Sequence, residues 1–216
     1  MAKSTSGTKS LQSKGSPVFL LTVVGIAVVG LAVIAFAATR DRGSGASDSA
    51  ASAAPVEIVG DALPQRGDGD KDPAVGLEIP ELSGTDLDGA PLKIEADGKP
   101  KAIYFVAHWC PHCQDEVPVV QDLIDEDKQP ESLDIYAVST WVDEGRGNYP
   151  PSQWLSDEGF TPPVLSDSGE SEAFQAFGGT GFPYVLYVDA DNKVVSRSAG
   201  LPADEIVERW EQAVAG

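Results

Sequence analysis

The longest apolar stretch of the chain runs from Pro17 to Ala38 and reads PVFLLTVVGIAVVGLAVIAFAA. It contains no charged side chain, and Thr22 is its only hydroxyl. As an α-helix with a rise of about 1.5 Å per residue, it would extend roughly 33 Å, enough to cross the hydrocarbon core of a bilayer. The pattern therefore predicts a transmembrane signal-anchor helix over residues 17–39, preceded by a cytoplasmic N-terminal tail over residues 1–16.

A cleavable signal peptide is the alternative interpretation of this run. Signal peptides usually have an apolar region of about 7–15 residues, so this one is long, although AFA at Ala35 to Ala37 would serve as a cleavage site. The short lysine-bearing leader favours an N-terminus inside the cell, because a long soluble domain is translocated whatever its charge. We therefore expect a single-pass protein of the cell membrane with an extracytoplasmic C-terminal domain, and a cleaved, secreted form as the alternative.

Residues 40–74 are rich in Gly, Ser, Ala, Asp and Pro, and their apolar positions are sparse and aperiodic. This composition predicts a flexible linker. From residue 75 to residue 216 the apolar positions become periodic, and the stretch is long enough for one hydrophobic core.

Strands and helices alternate along this C-terminal stretch. Short apolar runs and turn signals predict strands in a hairpin around Asp88-Gly89, at 101–107, at 133–140 and in a hairpin over 184–200. Helical spacing, prolines and caps predict helices over 114–127, in PPSQWLSDEG, from Ser168 to Gly178 and in PADEIVERWEQAV. The alternation predicts an α/β fold in which a sheet is sandwiched between helices.

The formal net charge is −19, with 34 acidic residues against 15 basic ones. Phosphate binding needs a basic surface, so this balance argues against nucleic acid as a partner. The acidity is typical of a well-solvated surface.

Both cysteines and both histidines of the chain lie between His108 and Cys113. This window falls where a predicted buried strand gives way to a predicted helix, and Pro111 suits the first helical position. Cys110 would then face unpaired backbone N–H groups and the positive end of the helix dipole, which stabilise an anionic thiolate. Cys110 is the predicted nucleophile, and Cys113, one turn further in and more buried, is the predicted resolving thiol.

The other side chains of the window each allow two interpretations. A protonated His112 would favour the Cys110 thiolate and make a disulfide more oxidising; the alternative is an exposed imidazole without a role. His108, at the end of the strand, either takes part in the function of the site or is a spectator without a role. Trp109 is expected to pack beside the site and shape access to it, or to be an ordinary core tryptophan.

A metal site is the competing interpretation, since His108, Cys110, His112 and Cys113 could supply four zinc or copper ligands. Structural zinc sites usually draw two ligand pairs from separate segments, and the sequence has no second pair. We therefore expect no metal and keep a copper- or zinc-binding metallochaperone module as an alternative. A purely structural disulfide would close a very small loop and stabilise little.

The segment AIYFVAHWCPHCQDEVPVV resembles the active-site segment of thioredoxin-fold proteins, in which a strand ending in FxAxWCxxC runs into the catalytic helix. Pro118 matches the proline that kinks that helix, and GTGFPYVLYVDADNKVV resembles the later segment in which a cis-proline faces the cysteines. The N-terminal apolar run, the hairpin DLDGAPLKI, the CxxEVP pattern through Glu116 and the central insertion 141–167 are closer to the TlpA/ResA-like branch. These are membrane-tethered, outward-facing thiol–disulfide oxidoreductases.

The resemblance, which covers residues 75–216, implies a thioredoxin-like fold with a central mixed sheet flanked by helices and an N-terminal hairpin. It also implies a redox-active Cys110–Cys113 disulfide that needs no cofactor. It also implies a cis bond between Phe182 and Pro183, with Pro183 holding substrate backbone near the sulfurs. The residues expected to bind substrate or shape the site are Trp109, Pro111, Gly181 and Phe182. Protein thiols and disulfides are the implied substrates, and a membrane-embedded thiol carrier is the implied partner that recycles the dithiol.

Two departures from the thioredoxin pattern affect the mechanism. Tyr104 stands six residues before the first cysteine, where thioredoxin has a buried acid, so another group or water is expected to transfer protons. Glu116 is the candidate group, and the alternative is that Glu116 is a solvated helix residue without a role. The Pro111-His112 pair resembles that of DsbA-type oxidases, whereas the branch suggests a reductase; we favour reduction and keep oxidation as the alternative.

A thiol-dependent peroxidase on a related fold is a further alternative. Its reactive loop would read Pro-x-x-x-Thr-x-x-Cys. Ile103 and Ala107 occupy the proline and threonine positions here, so the sequence argues against this chemistry.

Overall fold

The computed structural model describes residues 55–66 and 71–216. The predicted cytoplasmic tail and transmembrane helix lie outside these residues. Across the two described ranges, no helix combines the length and the apolar character needed to cross a membrane.

The described residues form eight strands and four helices. The strands are β1 (Glu57–Val59), β2 (Glu81–Thr85), β3 (Pro91–Ile94), β4 (Lys101–Val106), β5 (Asp134–Ser139), β6 (Val164–Ser166), β7 (Tyr184–Val188) and β8 (Val194–Ser198). The helices are α1 (Pro111–Asp125), α2 (Pro151–Asp157), α3 (Glu172–Ala176) and α4 (Ala203–Ala215). Both predicted hairpins are present, as β2–β3 and β7–β8.

The main sheet has five strands in the order β6-β5-β4-β7-β8. Strand β4 pairs in parallel with β5 and antiparallel with β7, so the predicted mixed sheet is confirmed. A separate antiparallel sheet has the order β1-β2-β3. All six residues of β4 are buried. This central strand therefore lies in the middle of the domain, and the window follows directly at its end.

Side chains of β4 alternate between two hydrophobic clusters, as the two-residue period of a strand requires. Tyr104 and Val106 pack in a cluster with residues of α1 and α4, including Val117 and Trp210. Phe105 packs in a second cluster with residues of α3 and the β2–β3 hairpin. The main sheet is therefore covered by α1 and α4 on one face and by α3 and the β2–β3 hairpin on the other. This packing fixes the orientation of β4 and the position of the window that follows it.

The segment before Val75 differs from the prediction of a flexible linker over 40–74. Strand β1 pairs with β2, and the buried Leu63 donates its backbone N–H to the carbonyl of Ala176 at 2.8 Å. The folded part therefore begins upstream of Val75. Local composition missed this because the pairing partners lie much further along the chain.

A buried ion pair also ties this segment to the domain. The Arg197 side chain on β8 is fully buried and pairs with the Asp72 carboxylate. It also donates a hydrogen bond to the Pro64 carbonyl at 2.8 Å. Arg197 thus joins two points of the upstream segment to the edge of the main sheet.

The helix predicted from Ser168 to Gly178 is shorter than expected, because α3 begins only at Glu172. The buried Asp167 carboxylate accepts the backbone N–H groups of Ala173 and Phe174, at 2.9 and 3.1 Å. These are unpaired donors of the first turn. A carboxylate that precedes the helix therefore caps it together with the predicted Ser168, whose hydroxyl accepts the Glu172 backbone N–H at 3.1 Å.

Candidate active site

Cys110 is the N-cap of α1, and Pro111 occupies the first turn, as predicted. The Cys110 Sγ accepts a hydrogen bond from the Cys113 backbone N–H at 3.4 Å. Both cysteines are free thiols. Cys113 is fully buried and Cys110 is 5% exposed, which confirms the predicted order of burial.

The Cys113 thiol lies in surroundings that disfavour its thiolate. Burial raises its pKa well above the usual range, and the neighbouring Cys110 and Glu116 raise it further. A buried thiol of this kind is a poor first nucleophile. The two sulfurs, separated by one helical turn, are therefore chemically distinct.

Glu116 lies on the same helix and is buried although it carries an ionisable carboxyl. Its Oε1 accepts the Leu201 backbone N–H at 3.4 Å, and its Oε2 is buried and has no hydrogen-bond partner within the described residues. Burial raises the pKa of Glu116 to about 7. This carboxyl can therefore gain or lose a proton near neutral pH.

Two buried phenols lie on the inner side of the site. Tyr104, at the position where thioredoxin has an acid, accepts the indole N–H of Trp210 at 3.0 Å. Burial raises the pKa of Tyr104 well above its usual range and that of Tyr187 to about 12. Both phenols stay neutral at ordinary pH, so neither replaces the buried acid that thioredoxin has at the position of Tyr104. Glu116 is the carboxyl whose charge acts on Cys113 and raises the pKa of that thiol.

The two histidines of the window have opposite environments. His112 is exposed on α1, whereas His108 is fully buried. The His108 Nδ1 donates to the Gly147 carbonyl at 2.7 Å, and its Nε2 accepts the Asp143 backbone N–H at 3.1 Å. His108 therefore holds a loop of the central insertion; no local sequence signal predicted this, because the partners lie 39 and 35 residues away.

Trp109 and Phe182 lie edge to face, with ring centroids 5.9 Å apart. The Trp109 indole N–H donates to the Trp141 carbonyl at 2.7 Å. The Phe182–Pro183 bond is cis, as the resemblance implied. Of the other predicted residues on this side, Pro183 is buried and Gly181 is exposed.

No group of three or more His, Cys, Asp or Glu side chains arranged to hold a metal ion occurs within residues 55–66 and 71–216. The window itself cannot present four ligands in this arrangement, since both ring nitrogens of His108 are bound to backbone groups.

The chain is similar to known proteins both as a family and individually. The family model Redoxin matches residues 69–209. The thiol–disulfide oxidoreductase ResA of Bacillus thuringiensis (strain Al Hakam) is 27% identical over 137 residues, which are 63% of this chain and 76% of that protein. The predicted resemblance to the TlpA/ResA-like thiol–disulfide oxidoreductases is confirmed.

Solved structures show the same fold. A secreted Mycobacterium tuberculosis disulfide oxidoreductase homologous to Escherichia coli DsbE superposes with a TM-score of 0.50 at 21% identity, covering 60% of this chain and 93% of that one. StoA from Bacillus subtilis superposes with a TM-score of 0.51 at 18% identity, covering 64% of this chain and 99% of that one. The predicted thioredoxin-like fold is confirmed for the domain.

Proposed function

The chain belongs to the Redoxin family, and from this premise we propose that it exchanges a Cys110–Cys113 dithiol and disulfide with protein substrates. Thiol–disulfide oxidoreductase activity is supported by its ResA-named relatives. The observation that carries the residue assignment is the position of Cys110 at the N-cap of α1, with the buried Cys113 one turn behind it. We favour reduction of substrate disulfides, as in the TlpA-like branch.

The reaction has two exchange steps. The Cys110 thiolate attacks one sulfur of a substrate disulfide, forms a mixed disulfide and releases one substrate thiolate, which takes up a proton. Cys113 then loses its proton and attacks the Cys110 sulfur. The Cys110–Cys113 disulfide forms, the second substrate thiolate is released, and two electrons have passed to the substrate.

Glu116 is the proposed proton acceptor for Cys113. Its carboxyl is buried beside this thiol and has a pKa of about 7, so an ionised fraction is present at neutral pH. A base with a pKa near the working pH is partly ionised and still binds a proton strongly enough to drive the transfer. Glu116 would take the Cys113 proton as the sulfur attacks and pass it on to the departing thiolate.

The remaining residues are proposed to position the substrate. Pro183 would hold substrate backbone beside the sulfurs, and Trp109, Pro111, Gly181 and Phe182 would shape the approach. The exposed His112 would tune the reduction potential through its charge when protonated. The redox pair is intrinsic to the chain, and the family implies no cofactor.

We also propose that the chain is a single-pass protein of the cell membrane, with its domain outside the cytoplasm. The apolar run from Pro17 to Ala38 supports this, and cleavage after it would instead give a secreted form. A reductase in this place must be resupplied with electrons. A membrane-embedded thiol carrier is the proposed source.

The test is a redox titration of the full chain in glutathione buffers of graded ratio, with the thiols trapped at each point. A potential near about −270 mV supports a reductase, and one near about −120 mV indicates an oxidant that inserts disulfides. If Cys110 and Cys113 form no disulfide at any ratio, the proposed exchange is wrong. The Cys110→Ser variant, which cannot form the disulfide, provides the baseline for trapping.

The alternatives are not favoured. A peroxidase loop would need proline and threonine where Ile103 and Ala107 stand, and Ile103 lies inside strand β4. A metal-binding module would need His108 as a ligand, but its ring holds the backbone of the insertion.

A further inference from the structure

A surface groove of about 710 Å³ lies beside the nucleophile and is called here the Trp141 groove. Its lining residues include Trp109, Trp141, Asp143, Glu144, Arg146 and Glu170. Trp109 directly precedes Cys110 in the chain. A polypeptide bound with one of its sulfurs at Cys110 therefore has this groove next to it.

The wall of the groove is held in place by residues around the window. Trp109 donates to the Trp141 carbonyl at 2.7 Å. The backbone N–H of Trp141 donates to the Ser171 hydroxyl at 3.2 Å, and His108 is bonded to Asp143 as described above. The groove is thus preformed, and a bound segment need not order it, which lowers the entropic cost of binding.

The charges of the lining residues are unequal. They include the carboxylates of Asp143, Glu144 and Glu170 and the guanidinium of Arg146. Arg146 is paired with Asp143 at 3.2 Å and lies over the Trp109 ring at 4.2 Å. One cation therefore stands against three acids, and Glu144 and Glu170 leave the groove with net negative charge.

Trp141 gives the groove an aromatic surface. Its side chain is 52% exposed, one of the most exposed large apolar residues of the described chain. It lies edge to face with Phe174 and Phe182, with ring centroids 6.5 and 6.3 Å away. Aromatic faces attract Lys and Arg side chains, and neighbouring carboxylates add to that attraction.

We propose that the Trp141 groove docks a polypeptide segment that carries a lysine or arginine close to the reacting cysteine, with the cation held by Glu144 and Glu170 against Trp141. This inference rests on the proposed function and adds the substrate class. Charge complementarity is the argument for this occupant: a groove with an excess of carboxylates around an exposed indole favours a cation and disfavours an acidic segment.

The test uses three disulfide-bearing peptides and the pre-reduced full chain in single-turnover experiments. One peptide has a lysine adjacent to the cysteine, the second has the same composition with the lysine at its far end, and the third has a glutamate adjacent. Because the chain as a whole carries −19, the second peptide separates docking from general attraction. We expect the first peptide to react about three- to tenfold faster than the third, and also faster than the second.

The matched variants are isosteric. The Glu144→Gln/Glu170→Gln double variant is expected to bring the rate ratios close to one. The Glu126→Gln/Glu131→Gln variant removes the same charge at exposed positions at or beyond the far end of α1, roughly 20 Å along the helix from Cys110, and is expected to keep them.

Equal rates for all three peptides, or selectivity retained in the groove variant, would overturn the docking proposal alone. Hydroxyethyl disulfide, small and uncharged, separates this from a wider failure. A chain that reduces neither the peptides nor hydroxyethyl disulfide overturns the proposed function, and the docking proposal falls with it.

Discussion

The two sides of the dithiol differ in almost every physical property. The inner side holds the fully buried Cys113, the carboxyl of Glu116 and two phenols, all packed in the cluster of α1 and α4 or buried against it. The outer side holds the exposed His112, the half-buried Trp109 and the acidic groove around the exposed Trp141.

This difference separates proton transfer, on the inner side, from the interaction with substrate, on the outer side. On the inner side, burial disfavours the ionised forms of Cys113 and Glu116 and so raises the pKa of both groups. On the outer side, exposed charges and aromatic rings act on whatever approaches Cys110. Changes on the inner side should therefore alter chemistry and stability, and changes on the outer side should alter selectivity and potential.

The largest effect is expected from replacing each cysteine separately. Cys113→Ser should leave the attack by Cys110 intact but block resolution, so a mixed disulfide with substrate accumulates and turnover falls on the order of 10²-fold or more. Non-reducing electrophoresis and mass spectrometry detect the adduct. Cys110→Ser should form none, because Cys113 is buried and its pKa is raised; an adduct in that variant would reverse the assigned roles.

The second effect concerns the buried carboxyl and the stability of the fold. The pKa of Glu116 is about 7 in the folded chain against an ordinary 4.5, so the folded state holds an extra proton between these pH values. The free energy of unfolding should therefore fall by about 3 kcal/mol as pH rises from 4.5 to 7 on account of this group, and stay level above it.

Glu116→Gln isolates that contribution. The variant should lack this part of the pH dependence and should be the more stable protein at pH 8, as measured by urea unfolding across the pH range. Glu126→Gln, an exposed change at the C-cap of the same helix, serves as control. If wild type and Glu116→Gln show parallel pH profiles, the carboxyl titrates normally and its assigned role as a base is wrong.

The third effect distinguishes the two histidines. His108→Leu leaves the Asp143 N–H and the Gly147 carbonyl without their partner, and it should lower the free energy of unfolding by about 2 kcal/mol. It should also weaken the peptide selectivity of the Trp141 groove. His112→Leu, at an exposed position, should change stability by less than about 0.5 kcal/mol; similar losses in both would remove the contrast between them.

The smallest effect is on the reduction potential. An exposed imidazolium near the Cys110 thiolate is worth about 1 kcal/mol where water screens the pair, which corresponds to roughly 20 mV. His112→Gln should therefore make the potential more negative by about that amount, measured against glutathione. His112→Lys keeps a positive charge at this position and should keep the potential; an equal shift in both variants would exclude charge as the cause.

The sequence predicted the central elements well because their signals are local. The apolar run of β4 and the periodic face of α1 were visible in single windows, as was the position of Cys110 at the junction between them. The Asp88-Gly89 turn likewise marked its hairpin. The cis bond before Pro183 came from the resemblance.

What the sequence did not predict depends on distant partners. Strands β1 and β6 have only three residues each, too few for a pattern, and they exist because a longer strand lies beside them. The role of His108 depends on the backbone of a loop without periodicity. The start of α3 was misplaced because the capping oxygen atoms of Asp167 and Ser168 lie several residues ahead of the first helical residue, Glu172.

The Arg197–Asp72 pair has a practical consequence for any shortened version of the protein. A fragment that starts at Val75, where sequence periodicity begins, would keep the arginine and lose its counter-charge, along with β1 and Leu63. An uncompensated guanidinium in the interior is strongly destabilising. The shortest autonomous unit should therefore begin ahead of Val56, so that the fragment keeps β1, Leu63 and the counter-charge of Arg197.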